Sequence, residues 1–144
     1  MVTAVLSTPE QFLTALRQWL EALPAGAVSV RKRQVTDCVE VRVTPRREDA
    51  AQVLLEVMPY GKFDIYCGRE FKLEGLPLDI DLCLELVEAV SKGHLRETLW
   101  IRRGRARQNV STLTTARETY VVRGTSSLLA WLVSPVERAY AAWS

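Results

Sequence analysis

Apolar residues near the start of the chain recur at helical spacing. They are Phe12, Leu13, Leu16, Trp19, Leu20 and Leu23, and the outer side of the same segment is polar. Thr8 precedes this run as a candidate N-cap, Pro9 suits the first helical position, and Gln11 completes a capping box. The pattern predicts a helix that begins near Pro9 and ends before the turn at residues 24–26.

The next part of the chain alternates apolar and polar residues, which is typical of half-buried strands. Val28 and Val30 alternate with polar neighbours, and the same alternation covers residues 38–43. Residues 52–58 are apolar on both faces, and residues 63–67 follow after a turn. These segments predict a four-stranded antiparallel meander that ends at Gly75-Leu76-Pro77.

A second helix is predicted from about Asp79 to Lys92, with Gly93 as its C′ residue. Its charged residues recur at spacings of four, three and four, and they are Asp81, Glu85, Glu88 and Lys92. They form one narrow polar stripe on an otherwise apolar helix. Such a pattern predicts a helix that is mostly buried.

The last part of the chain predicts two or three strands and a closing helix. The strands cover residues near 98–103, 105–114 and 118–123, and the helix begins after Gly124. Its apolar face consists of Leu129, Leu132, Val133, Val136, Tyr140 and Trp143. A second capping box at residues 134–137 predicts a break or kink at Pro135.

These elements predict the α+β class. We expect an antiparallel sheet with helices packed on one face, in the order α-β-β-β-β-α-β-β-(β)-α. The length of 144 residues predicts a single domain over residues 1–144. Hydrophobic residues make up 48% and charged residues 25%, which excludes a disordered or low-complexity chain.

The net charge of +2 conceals patches of opposite sign. Residues 31–47 carry a net +4, residues 70–92 a net −4, and residues 96–123 a net +5. Such patches orient a charged partner even when the total charge is small.

The N-terminal segment does not resemble a signal peptide, and no apolar run reaches the ~18 residues of a membrane span. Cys38, Cys67 and Cys83 are widely spaced and odd in number, which indicates reduced thiols. We therefore expect a cytoplasmic protein with no membrane contact.

Motifs for catalysis are absent from the sequence. His94 is the only histidine and follows a predicted helix, where it suits a solvated turn. The chain has neither a C-x-x-C pair nor a Walker A or dinucleotide-binding motif. We expect no cofactor, no metal site and no catalytic residues.

Two surfaces and one aromatic residue are candidates for binding another protein. One surface is the polar face of the meander, where Glu40 and Glu56 are able to meet across strands with Asp64 nearby. Because arginine and tyrosine share that face, a hydrogen-bonded polar surface is favoured over an acid–base pair. A small enzyme that uses these carboxylates is the less favoured alternative. The candidate contact residues are Glu40, Arg42, Asp64 and Tyr66 on the sheet, Asp79, Asp81, Glu85 and Glu88 on the second helix, and Trp100 as an aromatic anchor. Burial of Trp100 under the last helix is an equal alternative.

Four arginines, Arg102, Arg103, Arg105 and Arg107, surround Gly104 at a predicted hairpin tip. They are candidates for binding an anion or a nucleic acid. The same charges also keep a hairpin end solvated and unpaired. Nucleic acid is the less favoured partner, because no aromatic residues are interleaved with the arginines and the total charge is small.

The predicted element order is similar to that of small bacterial immunity proteins, which neutralise partner toxins, and of secretion chaperones of helix–sheet–helix build. The similarity implies a non-catalytic protein that docks on a toxin or effector and covers its functional site. A secretion-type chaperone and an anion or nucleic-acid binder are the alternatives. Homodimerisation through an unpaired sheet edge or through the last helix is also left open.

Overall fold

Two helices and nine strands form the described part of the chain. The computed structural model describes residues 6–102, 105–124 and 135–144, with the backbone alone for residues 101, 102 and 105–107. The elements are α1 (Pro9–Glu21), β1 (Val28–Val35), β2 (Cys38–Pro45), β3 (Val53–Met58), β4 (Lys62–Cys67), β5 (Phe71–Pro77), α2 (Ile80–Ser91), β6 (Leu95–Arg102), β7 (Arg105–Thr114), β8 (Thr119–Arg123) and β9 (Pro135–Ala139). The fold belongs to the α+β class with antiparallel sheets, which confirms the predicted class.

Helix α1 begins with the predicted capping box. Thr8 Oγ1 accepts a hydrogen bond from the Gln11 N–H at 3.2 Å, and Gln11 Oε1 accepts one from the Thr8 N–H at 3.1 Å. Phe12, Leu16 and Leu20 are buried along one face of the helix. The cap fixes where the helix starts, and the apolar spacing decides which side meets the sheet.

Strands β1 to β5 form an antiparallel sheet in sequence order. The predicted meander has four strands, whereas the structure adds β5 at the edge next to β4. A register shift between Phe63 and Ile65 lets the Asp64 carboxylate accept the Gly75 N–H at 2.7 Å. The Asp64 carboxylate thus takes the place of a backbone acceptor for Gly75, the residue at which the sequence pattern predicted the end of the meander.

Both helices cover one face of this sheet, which we name the inner face. Alternate residues of β2, β3 and β4 are buried there, and α2 packs its own apolar residues into the same core. The α2 residues of this core are Cys83, Leu86, Val87, Ala89 and Val90. Asp79 caps α2, and Gly93 follows its end with φ +79°, as a C′ residue requires.

The remaining strands form a second antiparallel sheet in the order β8-β7-β6-β9. The prediction of a helix over its last strand is wrong, because residues 135–139 pair antiparallel with β6. Val136 and Tyr140 are four residues apart, a spacing that places two side chains on one face in a helix and in a strand alike. Pro135 is the first residue of an edge strand, where no ladder N–H is needed. Leu129, Leu132 and Val133 lie outside the described residues.

The strands thus divide between two sheets, which the C-terminal residues connect. Ala141 forms a parallel bridge with Ala50. Trp143 is buried, and its Nε1–H donates to the Ala51 carbonyl at 2.8 Å. The core therefore continues from the inner face of the first sheet to the second sheet.

Candidate functional site

The face of the five-stranded sheet turned away from the helices, named the outer face here, carries a row of charged residues. Arg33 lies opposite Glu40, Glu40 opposite Glu56, and Glu56 opposite Asp64. Arg33 binds Glu40 through Nε at 3.2 Å and Nη2 at 3.0 Å. The three carboxylates therefore share one face at neighbouring positions, as the alternation pattern predicts.

Burial and mutual repulsion govern the chemistry of this row. Burial, followed by the charges of Asp64 and Glu40, raises the pKa of Glu56 above its ordinary value. Burial first, and then Glu56, also raises the pKa of Cys38 and of Tyr66. These shifts disfavour a thiolate or phenolate nucleophile on this face. Within the described residues no three His, Cys, Asp or Glu side chains are placed to hold a metal ion.

A second row on the outer face is basic at its β1 end. Arg31 lies opposite Arg42, and further along the row Leu54 lies opposite Tyr66. Neither Arg31 nor Arg42 forms an ion pair with any described residue. Like charges that face each other across strands destabilise a sheet slightly, so this corner of the outer face favours an incoming carboxylate.

Three of the four predicted contact carboxylates near α2 have partners inside the protein. Asp79 accepts the N–H groups of Asp81 and Leu82 at 3.0 and 3.3 Å, Glu85 contacts Thr115 and Arg117 at 2.7 and 3.6 Å, and Glu88 contacts Lys92 at 3.1 Å. The Asp81 side chain is exposed. Since α2 covers the inner face, these residues do not join Glu40, Arg42, Asp64 and Tyr66 in one surface.

Trp100 and the backbone of Arg102, Arg105 and Arg107 belong to the second sheet, whereas Arg103 lies outside the described residues. Trp100 is half-buried on β6 and alternates with Leu99, which is fully buried on the core side. Arg102 and Arg105 pair at the ends of β6 and β7. The side chains of Arg102, Arg103, Arg105 and Arg107 lie outside the described residues, so the anion-binding hypothesis stays a prediction.

Sequence reasoning missed a groove between α1 and β1. Its volume is about 590 Å³, and its lining includes Leu13, Leu20, Leu23, Val28 and Val30. Val30 is 49% exposed although it points to the same side of the sheet as the core residues. The apolar alternation at Val28 and Val30 was visible in the sequence, but nothing local indicated that α1 leaves this part of the strand uncovered.

Strand β1 is also an edge strand, and its alternate backbone groups face away from β2. Opposite residues of β1 and β2 alternate between hydrogen-bonded and non-bonded pairs. Ala27 and Arg46 are a hydrogen-bonded pair, because the Arg46 N–H donates to the Ala27 carbonyl at 2.9 Å. Pro45, which has no N–H, lies opposite Val28 and fits a non-bonded pair. The residues whose N–H and C=O groups face the open edge are Val28, Val30, Lys32 and Gln34. No described strand pairs with this edge.

A smaller cleft of about 460 Å³ is lined by Arg47, Arg69 and Arg138. Two of these arginines already have acidic neighbours. Arg47 binds Asp49 at 3.0 Å, and Arg69 approaches Glu70 at 3.7 Å. The cleft therefore offers less unpaired positive charge than its three arginines suggest.

The carboxylate of Glu97, which sequence reasoning also missed, is 1% exposed and serves the fold. It accepts the N–H groups of Arg69 and Glu70 at 2.9 and 2.8 Å, and the hydroxyls of Ser111 and Tyr140 at 2.8 and 2.5 Å. Burial and the bond to Glu97 raise the pKa of Tyr140 to about 12. With four donors and no approach from solvent, Glu97 links the β4–β5 turn to the second sheet.

Comparisons of the chain with protein-family models, with curated proteins and with solved structures find no match. Neither described helix has the length and apolar character needed to cross a membrane. Three features therefore bear on function: the α1–β1 groove, the open edge of β1 and the charged outer face.

Proposed function

We propose that this chain is a non-catalytic protein-binding module of the immunity type, which binds and neutralises a partner toxin or effector in the cytoplasm. One observation carries the proposal. An edge strand of eight residues exposes backbone donors and acceptors directly beside an apolar groove of about 590 Å³. Concave apolar surface next to a strand edge is a common way for proteins to receive a partner.

The composition of the groove supports a protein partner. Its walls are aliphatic side chains from α1 and β1, and its charged residues are Glu10, Arg17 and Glu21 of α1 and Lys32 of β1. Arg17 and Glu21 pair with each other at 3.8 Å, with both side chains largely exposed. An apolar centre with a polar rim is the usual composition of a protein interface.

The basic residues of β1 have a second consequence. Charges on an edge strand discourage pairing between copies of the same protein. That protective role explains Arg31 and Lys32, but it does not explain an apolar groove left open beside them. The basic residues and the open groove together suit an edge that binds a partner of complementary charge.

The outer face extends the proposed contact. A partner seated along β1 reaches Arg31 first and then Arg42 on the adjacent strand. The acidic row of Glu40, Glu56 and Asp64 follows on the same face. A partner that covers both areas meets positive charge next to negative charge, which fixes its orientation more than its affinity.

A secretion-type chaperone is the second candidate. The open edge of β1 favours it, because such an edge receives an extended segment and chaperones hold their clients in extended form. The two functions differ in what is bound. An immunity protein inhibits a folded toxin, one extended segment of which pairs with the edge, whereas a chaperone binds such a segment of an incompletely folded client.

Two valine variants test the proposed function. Val30 and Val121 are both on edge strands and are 49% and 50% exposed, but only Val30 lines the groove. Tagged wild-type protein, Val30→Asp and Val121→Asp are used to capture partners from the native source after nuclease treatment. We expect one stoichiometric protein with wild type and Val121→Asp, and at least a tenfold loss with Val30→Asp, since a carboxylate in an apolar contact is costly to desolvate.

The captured protein is then assayed with and without the chain. Inhibition of its activity by wild type and by Val121→Asp, but not by Val30→Asp, supports an immunity function. Equal capture by all three proteins, recovery of nucleic acid alone, or no captured protein contradicts binding at the groove.

A further inference from the structure

We propose that the occupant of the α1–β1 groove is an extended segment of the partner protein that pairs with β1 as a sixth strand and alternates apolar with acidic residues. This inference rests on the proposed protein-binding function and names the partner's chemistry. Three features of β1 lead to it: the direction of its backbone groups, the alternation of its side chains and its charge.

The backbone of β1 determines the shape of the occupant. Val28, Val30, Lys32 and Gln34 present their N–H and C=O groups to the open edge. Only a chain in extended conformation matches such a row of alternate donors and acceptors. A helix has used its own backbone groups internally, so it leaves this row unbonded.

The side chains of β1 determine which residues of the occupant are apolar. The residues that would bond to the partner, Val28 and Val30, also direct their side chains to the groove beside α1. In a paired strand, neighbouring residues on the same face contact each other. Every second residue of the partner segment therefore points to the groove side. The residues beside Val28 and Val30 enter the groove next to Leu13 and Leu20 and must be apolar.

Charge determines the residues in between. Partner residues opposite Arg31 and Arg33 point to the outer face. Arg33 already binds Glu40, whereas Arg31 lies opposite Arg42 and forms no ion pair with a described residue. A carboxylate beside Arg31 neutralises this like-charge pair. Lys32, on the groove side, adds a further positive charge near the middle of the strand.

The same charges argue against a second copy of this chain as the occupant. Antiparallel pairing of β1 with a second β1 about Lys32 places Lys32 opposite Lys32 and Arg31 opposite Arg33. Like charges directly opposite each other destabilise a strand pair. The edge is therefore suited to a different chain of opposite charge.

A selection from random twelve-residue displayed peptides, with the purified protein as target, tests the composition of the occupant. We expect enriched peptides in which apolar residues alternate with Asp or Glu, and an affinity that falls as salt is raised. Enrichment of apolar residues at spacings of three and four, enrichment of basic peptides, or no enrichment contradicts the proposal.

Two substitutions at Val30 test the pairing itself. Val30→Pro removes one N–H donor from the open edge and leaves the bonds to β2 intact, because Val30 and Val43 form a non-bonded pair. Val30→Thr keeps the N–H and the β-branched shape. We expect the synthetic form of an enriched peptide to bind Val30→Pro at least about tenfold more weakly than Val30→Thr. Circular dichroism and thermal melting establish that both variants are folded.

The outcomes separate this inference from the proposed function. If a captured protein is lost with Val30→Asp but binds Val30→Pro and Val30→Thr equally, the groove binds a protein and strand pairing is wrong. If sedimentation shows a dimer of this chain that Val30→Pro abolishes, a second copy occupies the edge and the proposed partner is wrong.

Discussion

At the scale of single residues, two carboxylates on strands have opposite surroundings. Glu97 is sealed from solvent and accepts four hydrogen bonds, so its charge is stabilised by donors rather than by a counter-ion. Glu56 is half-buried between Glu40 and Asp64. Glu40 has Arg33 and Asp64 has the Gly75 N–H, whereas Glu56 has no such bond among the described contacts.

Substitution of Glu56 has an expected pH dependence. Because folding raises the pKa of Glu56 above its ordinary value of 4.5, the folded protein holds this proton more tightly than the unfolded chain. The ionised group therefore destabilises the fold at neutral pH, and the penalty shrinks as the pH falls toward 4.5. We expect Glu56→Gln to raise the free energy of unfolding at pH 7 by about 0.2 to 1 kcal/mol.

Glu40→Gln is the matched control for this prediction. It removes the ion pair with Arg33 but also the repulsion between Glu40 and Glu56, so its effect on stability at pH 7 should be less than about 1 kcal/mol. Urea unfolding of both variants between pH 4 and pH 7 measures the two effects. A Glu56→Gln variant that is less stable than wild type at pH 7, or whose effect does not change with pH, contradicts the account of this row.

At the scale of elements, the turns that join β4 to its neighbours differ in what surrounds them. Gly61 lies between β3 and β4 with φ +91° and has nothing within 4 Å of an added Cβ. Gly68 lies between β4 and β5 with φ +62°, where a Cβ would be 2.8 Å from Glu97 Oε1 and 2.8 Å from the Tyr140 hydroxyl. Of these two glycines, only Gly68 lies against described residues of the second sheet.

Alanine substitutions separate backbone strain from this contact. We expect Gly61→Ala to cost about 1 kcal/mol, since a left-handed conformation disfavours a side chain. Gly68→Ala should cost about 2 to 4 kcal/mol, because the added methyl group also displaces Glu97 or Tyr140. Thermal and urea unfolding of the two variants measure the difference. Equal destabilisation would show that the contact with Glu97 does not hold the turn.

The elements also show how far local sequence determines this fold. The capping box at Thr8 and Gln11 and the alternation in β2 predict α1 and the meander, because both signals are local. β9 was predicted as a helix because the spacing of Val136 and Tyr140 suits either structure. The pairing of β9 with β6 is decided by residues far away in the chain.

The candidate site was predictable only in part for the same reason. The shared face of Glu40, Glu56 and Asp64 follows from a period of two residues. The partners of Glu85, by contrast, lie 30 and 32 residues away in the β7–β8 turn. The groove depends on where α1 stops covering β1, and no local pattern contains that information.

At the scale of the whole molecule, the two faces of the five-stranded sheet differ in what covers them. The inner face carries the helices and the core, and the C-terminal Trp143 connects this core to the second sheet. The outer face carries charges, and the open edge of β1 joins the two faces beside the groove. We infer that a partner approaches along this edge, where apolar surface and positive charge meet.

Hydrogen–deuterium exchange of the backbone, measured with and without the captured partner, tests this claim most directly. We predict that binding slows exchange in residues 28–35 of β1 and on the α1 side of the groove, while exchange in β8 does not change. Unchanged exchange in β1 together with slower exchange in the second sheet would place the partner elsewhere and contradict the account.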